Sequence, residues 1–304
     1  MKKTLLRLIA VLTFTAAAIC LLSSAFGQQV ADPNFQPKVA HPTFTQKHPR
    51  VLFDEAHHNF HTAGGRYKPF AELITADGYR VTSNKEKFSN SLLRGYDILV
   101  ISNALGEERG LSAFTDDECD VVRNWVQAGG SLLLISDHTP FGAAARILSM
   151  RFGVEMSTAY TGDRSYYDKS VLDELGQLVF TRKNHLLTDN AITNGRNRAE
   201  RINRVITFTG QSLSIPKDTI AFLKLSDTAF DVMPTDQKKE ISAANRAQGV
   251  ALKFKKGRVI ILGEAAMLSA QLSAKEQKPM GMNYPNIDNQ QLALNIMHWL
   301  SKKL

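Results

Sequence analysis

Apolar residues fall into short blocks along the chain, separated by polar, Gly- and Pro-bearing stretches, and each block has its own period. Val51-Leu52-Phe53 runs into Asp54-Glu55 and predicts a buried strand. Phe70, Leu73 and Ile74 repeat at helical spacing within residues 66–77, and Gly78 ends that helix. Residues 79–82 predict a second strand and residues 96–102 a third, whose continuous apolar run is that of a strand covered on both faces. Thr115 with Glu118 three positions on is a capping box; Val121, Val122, Trp125 and Val126 follow as one apolar face, and Gly129-Gly130 stops the helix. Ser131–Ile135 predicts a fourth strand, and Pro140 opens another helix. Late in the chain, 250–254 and 258–262 flank Lys255-Lys256-Gly257 as a hairpin, and an amphipathic helix spans about 288–300.

Strands alternating with helices, and apolar on both faces, predict an α/β fold: a mostly parallel sheet with helices on both sides. Residues 50–304 read as one such domain. Residues 154–245 break the rhythm, with many polar positions and Gly162, Gly176, Gly195 and Gly210, and predict an irregular insertion on the rim of the sheet. Residues 28–49 carry Pro33, Pro37, Pro42 and Pro49 and predict an extended leader.

Residues 1–27 have a different character. Lys2, Lys3 and Arg7 precede an apolar run from Leu8 to Leu22, and small residues follow up to Gly27, the order of a cleavable signal peptide. The mature chain then starts near Gln28, in the periplasm or outside the cell, with no membrane span left; an uncleaved run over 8–26 would instead anchor it. Those three cations belong to the formal +8, so the mature chain carries +5. That is too little charge to argue for a nucleic-acid partner in an exported protein. Of the two cysteines only Cys119 remains, set among Asp116, Asp117, Glu118 and Asp120, which excludes an intramolecular disulfide and disfavours a thiolate nucleophile.

Ligands of open α/β sheets bind outside the carboxyl ends of the strands. Here those ends deliver Asp54, Glu55 and His57, then Asn103, then Asp137 and His138, then Glu264. Asp54, Glu55, His57, Asp137, His138 and Glu264 are therefore the candidate catalytic residues, as acid–base groups. His57 and His61 stand four apart, and with Asp137 and His138 they could hold a divalent metal such as zinc. Gly64-Gly65 just beyond them predicts a loop, so hydrogen-bonding or acid–base use of these imidazoles stays open beside the metal. Four Arg fall within residues 196–204, and Arg196 after Gly195 is the candidate clamp for an anion. Asn103 and Asn283 complete the candidate substrate-binding set.

Gly129-Gly130 leading into Ser131–Ser136, with the strand–helix order before it, resembles the class I glutamine amidotransferase-like (flavodoxin-like) fold over about 50–153 and 247–303. Together with Phe53–His57, Ser136–Gly142, Gly195-Arg196, Thr207–Gln211 and Gly263–Met267, it looks like an uncharacterised family of exported bacterial proteins on that fold. The resemblance implies a nucleophile elbow after Ile135, where an amidotransferase has Cys. This chain has Ser136-Asp137-His138, so glutamine amidotransferase activity is not expected. The expectation is an exported hydrolase-like protein acting on a small molecule or glycan. The alternative is a non-catalytic ligand-binding or assembly module of the cell envelope.

Overall fold

The computed structural model describes residues 29–170, 175–273 and 276–304. The leader signature at 1–27 lies outside the described residues. In chain order the strands are β1 (Val30–Ala31), β2 (Arg50–Asp54), β3 (Arg80–Asn84), β4 (Ile98–Ser102), β5 (Ser131–Ile135), β6 (Tyr160–Asp163), β7 (Gln177–Thr181), β8 (Arg204–Phe208), β9 (Ile220–Lys224), β10 (Ala229–Met233), β11 (Asp236–Ser242), β12 (Ala247–Phe254), β13 (Gly257–Leu262), β14 (Ala270–Leu272) and β15 (Pro279–Gly281). The helices are α1 (Lys68–Ala76), α2 (Asn90–Leu93), α3 (Asp116–Ala128), α4 (Phe141–Met150), α5 (Ala191–Asn194) and α6 (Asn289–Leu300).

The main sheet has seven strands in the order β3-β2-β4-β5-β13-β12-β9. The first five are mutually parallel, and β12 reverses as the hairpin partner of β13. Alternation along the strands splits the core into two layers. Phe53, Val100, Leu133 and Ile260 pack with Phe70 and Leu73 of α1 and Leu292 and Ile296 of α6. Leu52, Leu99, Leu132, Leu134 and Ile261 pack with Val122 and Val126 of α3 and Ala145 and Leu148 of α4. The capping box of α3 forms as the sequence predicts, and Gly129 leaves the helix at φ +128°. Only glycine adopts that value without strain.

Two segments are more integrated than their composition suggests. The insertion contributes β9 as the outer strand of the main sheet, beside β12. The rest of it builds a β11-β10-β6 antiparallel sheet and a β7–β8 ladder. The Pro-bearing leader is extended but fastened down: β1 pairs with β14, Phe44 is buried, and Phe35 and Val39 lie on the core. A few apolar residues at wide spacing suffice to dock a segment that has no period of its own. Among the described residues no helix is long and apolar enough to cross a membrane.

Candidate functional site

The chain passes from β2 outward to β3 and then back across β2 to β4. The carboxyl ends of β2 and β4 therefore form the topological switch point, the edge at which open α/β sheets place their ligand crevice. Residues 54–61 leave β2 at that point. Asp54 is fully buried and accepts from Asn59 Nδ2 at 3.0 Å and from His57 Nδ1 at 2.9 and 3.0 Å. His57 Nε2 meets Glu118 Oε1 at 2.9 Å. An ionised carboxylate only accepts, so with both nitrogens donating His57 is an imidazolium. Its ring lies between those of Phe88 and Phe114, each 4.7 Å away between centroids. Burial by itself lowers the pKa of His57, but the bonds and charges of Asp54 and then Glu118 outweigh it and raise the pKa. Glu118 is pushed up by burial and pulled further down by His57 and Thr115, ending below its ordinary value.

The second group sits on the tips of β4 and β5. Asn103 has φ +46°, a left-handed conformation that Asn tolerates better than most residues. There its side chain donates from Nδ2 to Asp137 Oδ2 at 2.7 Å and accepts from Asp137 N at 2.9 Å. Asp137 Oδ1 accepts from Ala265 N at 2.7 Å, which ties the turn to the end of β13. Gln211 holds the turn from below, donating to the carbonyls of Ser136 and Asp137 at 2.9 and 2.8 Å and accepting from Thr158 N at 2.8 Å. Burial raises the pKa of Asp137 against the opposing pull of His138, Asn103 and Ala265. Part of the residue nonetheless stays open to solvent.

Glu264, buried, accepts from Ala266 N at 2.7 Å and Met267 N at 2.8 Å. Burial first, and the charge of Asp137 second, push its pKa well above the ordinary carboxylate value. Neighbouring carboxyl groups with raised pKa values are the arrangement by which a protein keeps a proton available near neutrality. Between them and the β2 loop stands Tyr67, fully buried, donating to Ala265 O at 2.5 Å. His61 stacks on Tyr67 at 4.8 Å and meets Ser102 Oγ at 3.1 Å. Burial and the nearby Arg66 lower its pKa to about 3, so His61 is neutral.

The candidates thus divide. Asn103, Asp137 and Glu264 converge, and Asp54 and His57 form a separate closed unit beside them. His138 borders Asp137 but turns Nδ1 to its neighbour's carbonyl, Thr139 O, and lays its ring 4.1 Å from that of Tyr160. Glu55 points away, to Lys85 at 2.6 Å and to Ser83 and Ala63 N at 2.9 Å. Arg196 is spent on Glu200 and is influenced by Asp77 and Tyr79, which flank the amino end of β3, so it lies at the opposite edge of the sheet. Asn283 binds Asp32 and the Gln271 carbonyl, each at 3.0 Å. The metal set does not assemble. His57 is locked by its two carboxylates, His61 by Ser102 and Tyr67, and His138 by Thr139. Among the described residues no three such side chains could share an ion. Ser136, on the strand end that would carry an elbow nucleophile, is fully buried, and its hydroxyl has neither solvent nor a hydrogen-bond partner among the described residues.

Tyr67 and Arg66 enter the picture only here, and Glu118 and Gln211 gain a role that the sequence does not assign them. Glu118 is visible in the sequence as a capping residue, and its second carboxylate oxygen does serve Thr115. Nothing in the local pattern shows that the first oxygen reaches 61 positions back to His57.

No family model matches the chain, and no curated protein does either. Among solved structures, the N-terminal domain of mmIFT52 superposes with a TM-score of 0.60 at 15% identity, covering 83% of this chain and 97% of that one. A ThuA-like protein from Bacteroides uniformis gives 0.46 at 14% identity, over 86% and 95% of the two chains. A GMP synthase-like protein from Thermoplasma acidophilum gives 0.42 at 12% identity, over 85% and 97%. The likeness is one of fold: an α/β domain on a mostly parallel seven-stranded sheet.

Proposed function

We propose that this is an exported protein of class I glutamine amidotransferase-like fold that works as a hydrolase-like enzyme through acid–base chemistry at Asp137. The observation that carries this reading is the reciprocal Asn103–Asp137 pair at the crevice edge. It fixes a partly open carboxyl group, of raised pKa, in one orientation. A general acid or base needs that combination of fixed geometry and a pKa moved toward neutrality. Glu264 acts as a positioning residue: its carboxyl group binds the backbone just after β13, and its charge state couples to that of Asp137. The Asp54–His57–Glu118 unit holds the β2 loop against the crevice and does not meet substrate.

The test is turnover by the full chain across ester, glycoside and amide substrates, with Asp137→Asn as the discriminating variant. The substitution keeps the shape of the side chain but sets an NH2 against either Asn103 Nδ2 or Ala265 N, so the melt should fall by the loss of that one hydrogen bond, and turnover should be absent at temperatures where the variant is still folded. Retention of turnover in Asp137→Asn removes acid–base chemistry from this residue. A chain that turns over none of these substrates is instead a ligand-binding or assembly module of the envelope. The buried Ser136 hydroxyl, and the lack of any cysteine on the turn after β5, favour that second reading. Export is tested separately, by N-terminal sequencing of the mature protein, which should begin near Gln28.

A further inference from the structure

Beside the Asp137 edge lies a set of polar groups that the acid–base reading leaves unused. Arg66 Nη1, both side-chain atoms of Gln271 and Asn283 Oδ1 are all buried, and none has a hydrogen-bond partner among the described residues. Gln271 is fully buried, so its amide has no recourse to bulk solvent. Unmet buried donors and acceptors destabilise a fold, and their concentration in one place usually means that something else meets them. The three side chains belong to one neighbourhood. Asn283 Nδ2 donates to the backbone carbonyl of Gln271 at 3.0 Å, and the Ser269 hydroxyl donates to the carbonyl of Arg66.

A single segment covers all three. Arg66 Nε donates to Gln29 O at 2.7 Å, Ala31 of β1 pairs directly with Gln271, and Asp32 accepts from Asn283 Nδ2 at 3.0 Å. Phe60 links this neighbourhood to the crevice. The Arg66 guanidinium lies 3.8 Å over its half-exposed ring, its N–H donates to Asn103 O, and its ring faces Phe141, which opens the helix after the Asp137 turn.

We propose that Arg66, Gln271 and Asn283 form a recognition subsite for a glycan, with Phe60 as its aromatic platform and Gln29–Asp32 as a strap across it. Every sugar hydroxyl both donates and accepts, so a vicinal pair of hydroxyls matches the N–H and C=O of one amide. The unused atoms offer donors from Arg66 and Gln271 and acceptors from Gln271 and Asn283. The apolar face of a sugar ring can lie on the part of the half-exposed Phe60 ring that the Arg66 guanidinium leaves uncovered. The assignment rests on the Asp137 reading only for what happens to the ligand afterwards.

The experiment is calorimetric titration of the full chain with cellotetraose, chitotetraose and maltotetraose. At least one should bind saturably. Gln271→Met and Asn283→Leu should each weaken it by about tenfold or more, as befits the loss of a buried hydrogen-bonding group. Gln271→Met should leave the melting temperature unchanged or raise it, since it removes only unmet polar groups, whereas Asn283→Leu also removes the bonds to Asp32 and to the Gln271 carbonyl and should lower it. Asp32→Ala, which removes one of the strap's fastenings, should tighten binding roughly three- to tenfold by enlarging the open fraction. The proposal falls if none of the three sugars binds even to Asp32→Ala. It falls equally if Gln271→Met lowers the melting temperature without altering binding, the result expected of a structural network bridged by water. Asp137→Asn separates the two ideas: it should bind the tetrasaccharide normally, whatever happens to turnover.

Discussion

Asn103 and Asp137 grip each other twice across the tips of adjacent parallel strands, side chain to side chain at 2.7 Å and side chain to backbone at 2.9 Å. Asn103 makes both contacts from a left-handed backbone, so its conformation and its hydrogen bonds can be separated by mutation. Asn103→Gly keeps the backbone and loses the amide, and should lower turnover by on the order of tenfold to a hundredfold, what one hydrogen bond to a charged group is worth at about 1.5–3 kcal/mol. The pH profile should move with it. Removing a donor to the ionised carboxyl raises the Asp137 pKa further, so the limb that reports Asp137 shifts to higher pH. An unchanged profile in Asn103→Gly would show that Asp137 does not set it.

The Asp54–His57–Glu118 unit gives stability a dependence on pH from both sides. His57 has a raised folded pKa, so its contribution is complete below the unfolded value, near 6.5, and is lost as pH climbs through the folded one. Glu118 has a lowered folded pKa, so its share is present above its unfolded value and lost as pH falls through the folded one. Urea midpoints should therefore peak in mildly acidic solution and decline toward pH 9. His57→Leu, which strands two buried carboxylates, should cost about 3–5 kcal/mol and abolish the alkaline decline. A decline of the same size in the variant would assign it elsewhere.

Much of the fold was legible because parallel strands covered on both faces are written as unbroken apolar runs. Ser131–Ile135 and Ile98–Ser102 could hardly be anything else. Strand β9 was hidden because it joins the sheet from within a stretch dominated by polar residues and glycines, and its pairing with β12 is broken by register shifts. Asp137 and Glu264 were legible as polar residues at strand ends. Whether such a residue faces the crevice or a neighbour depends on partners distant in sequence, and Arg196 shows the limit. Its glycine neighbour suggested a ligand clamp, but Glu200, one helical turn later, takes the guanidinium, and chain direction puts the pair at the other edge.

Cys119 should be chemically silent in the folded protein. It is fully buried on the sheet-facing side of α3, and burial pushes its thiol up to about 12, with Arg151 only partly opposing. Ellman's reagent at pH 8 should label it only after denaturant is added, at the rate of global unfolding. Stoichiometric labelling of the native chain within minutes would show that α3 opens locally.

The last test concerns the backbone approach that positions the Asp137 turn. Gln211, which holds that turn through its amide, donates its own backbone N–H to Gly263 O at 2.7 Å. A Cβ on Gly263 would fall 2.2 Å from Gln211 O, and one on Gly142 would fall 2.6 Å from the Gln211 amide. The first contact is with backbone and the second with the end of a side chain, so the two substitutions should differ in kind. Gly263→Ala must push β13 away from residue 211 and should destabilise by about 1–3 kcal/mol or more, with a lower melting temperature and less folded protein. Gly142→Ala can be accommodated by displacing the amide, which frees the carbonyls of Ser136 and Asp137. It should therefore spare most of the stability while lowering turnover, because the turn is no longer held. If instead Gly142→Ala keeps full turnover, Gln211 supports the fold without tuning the site.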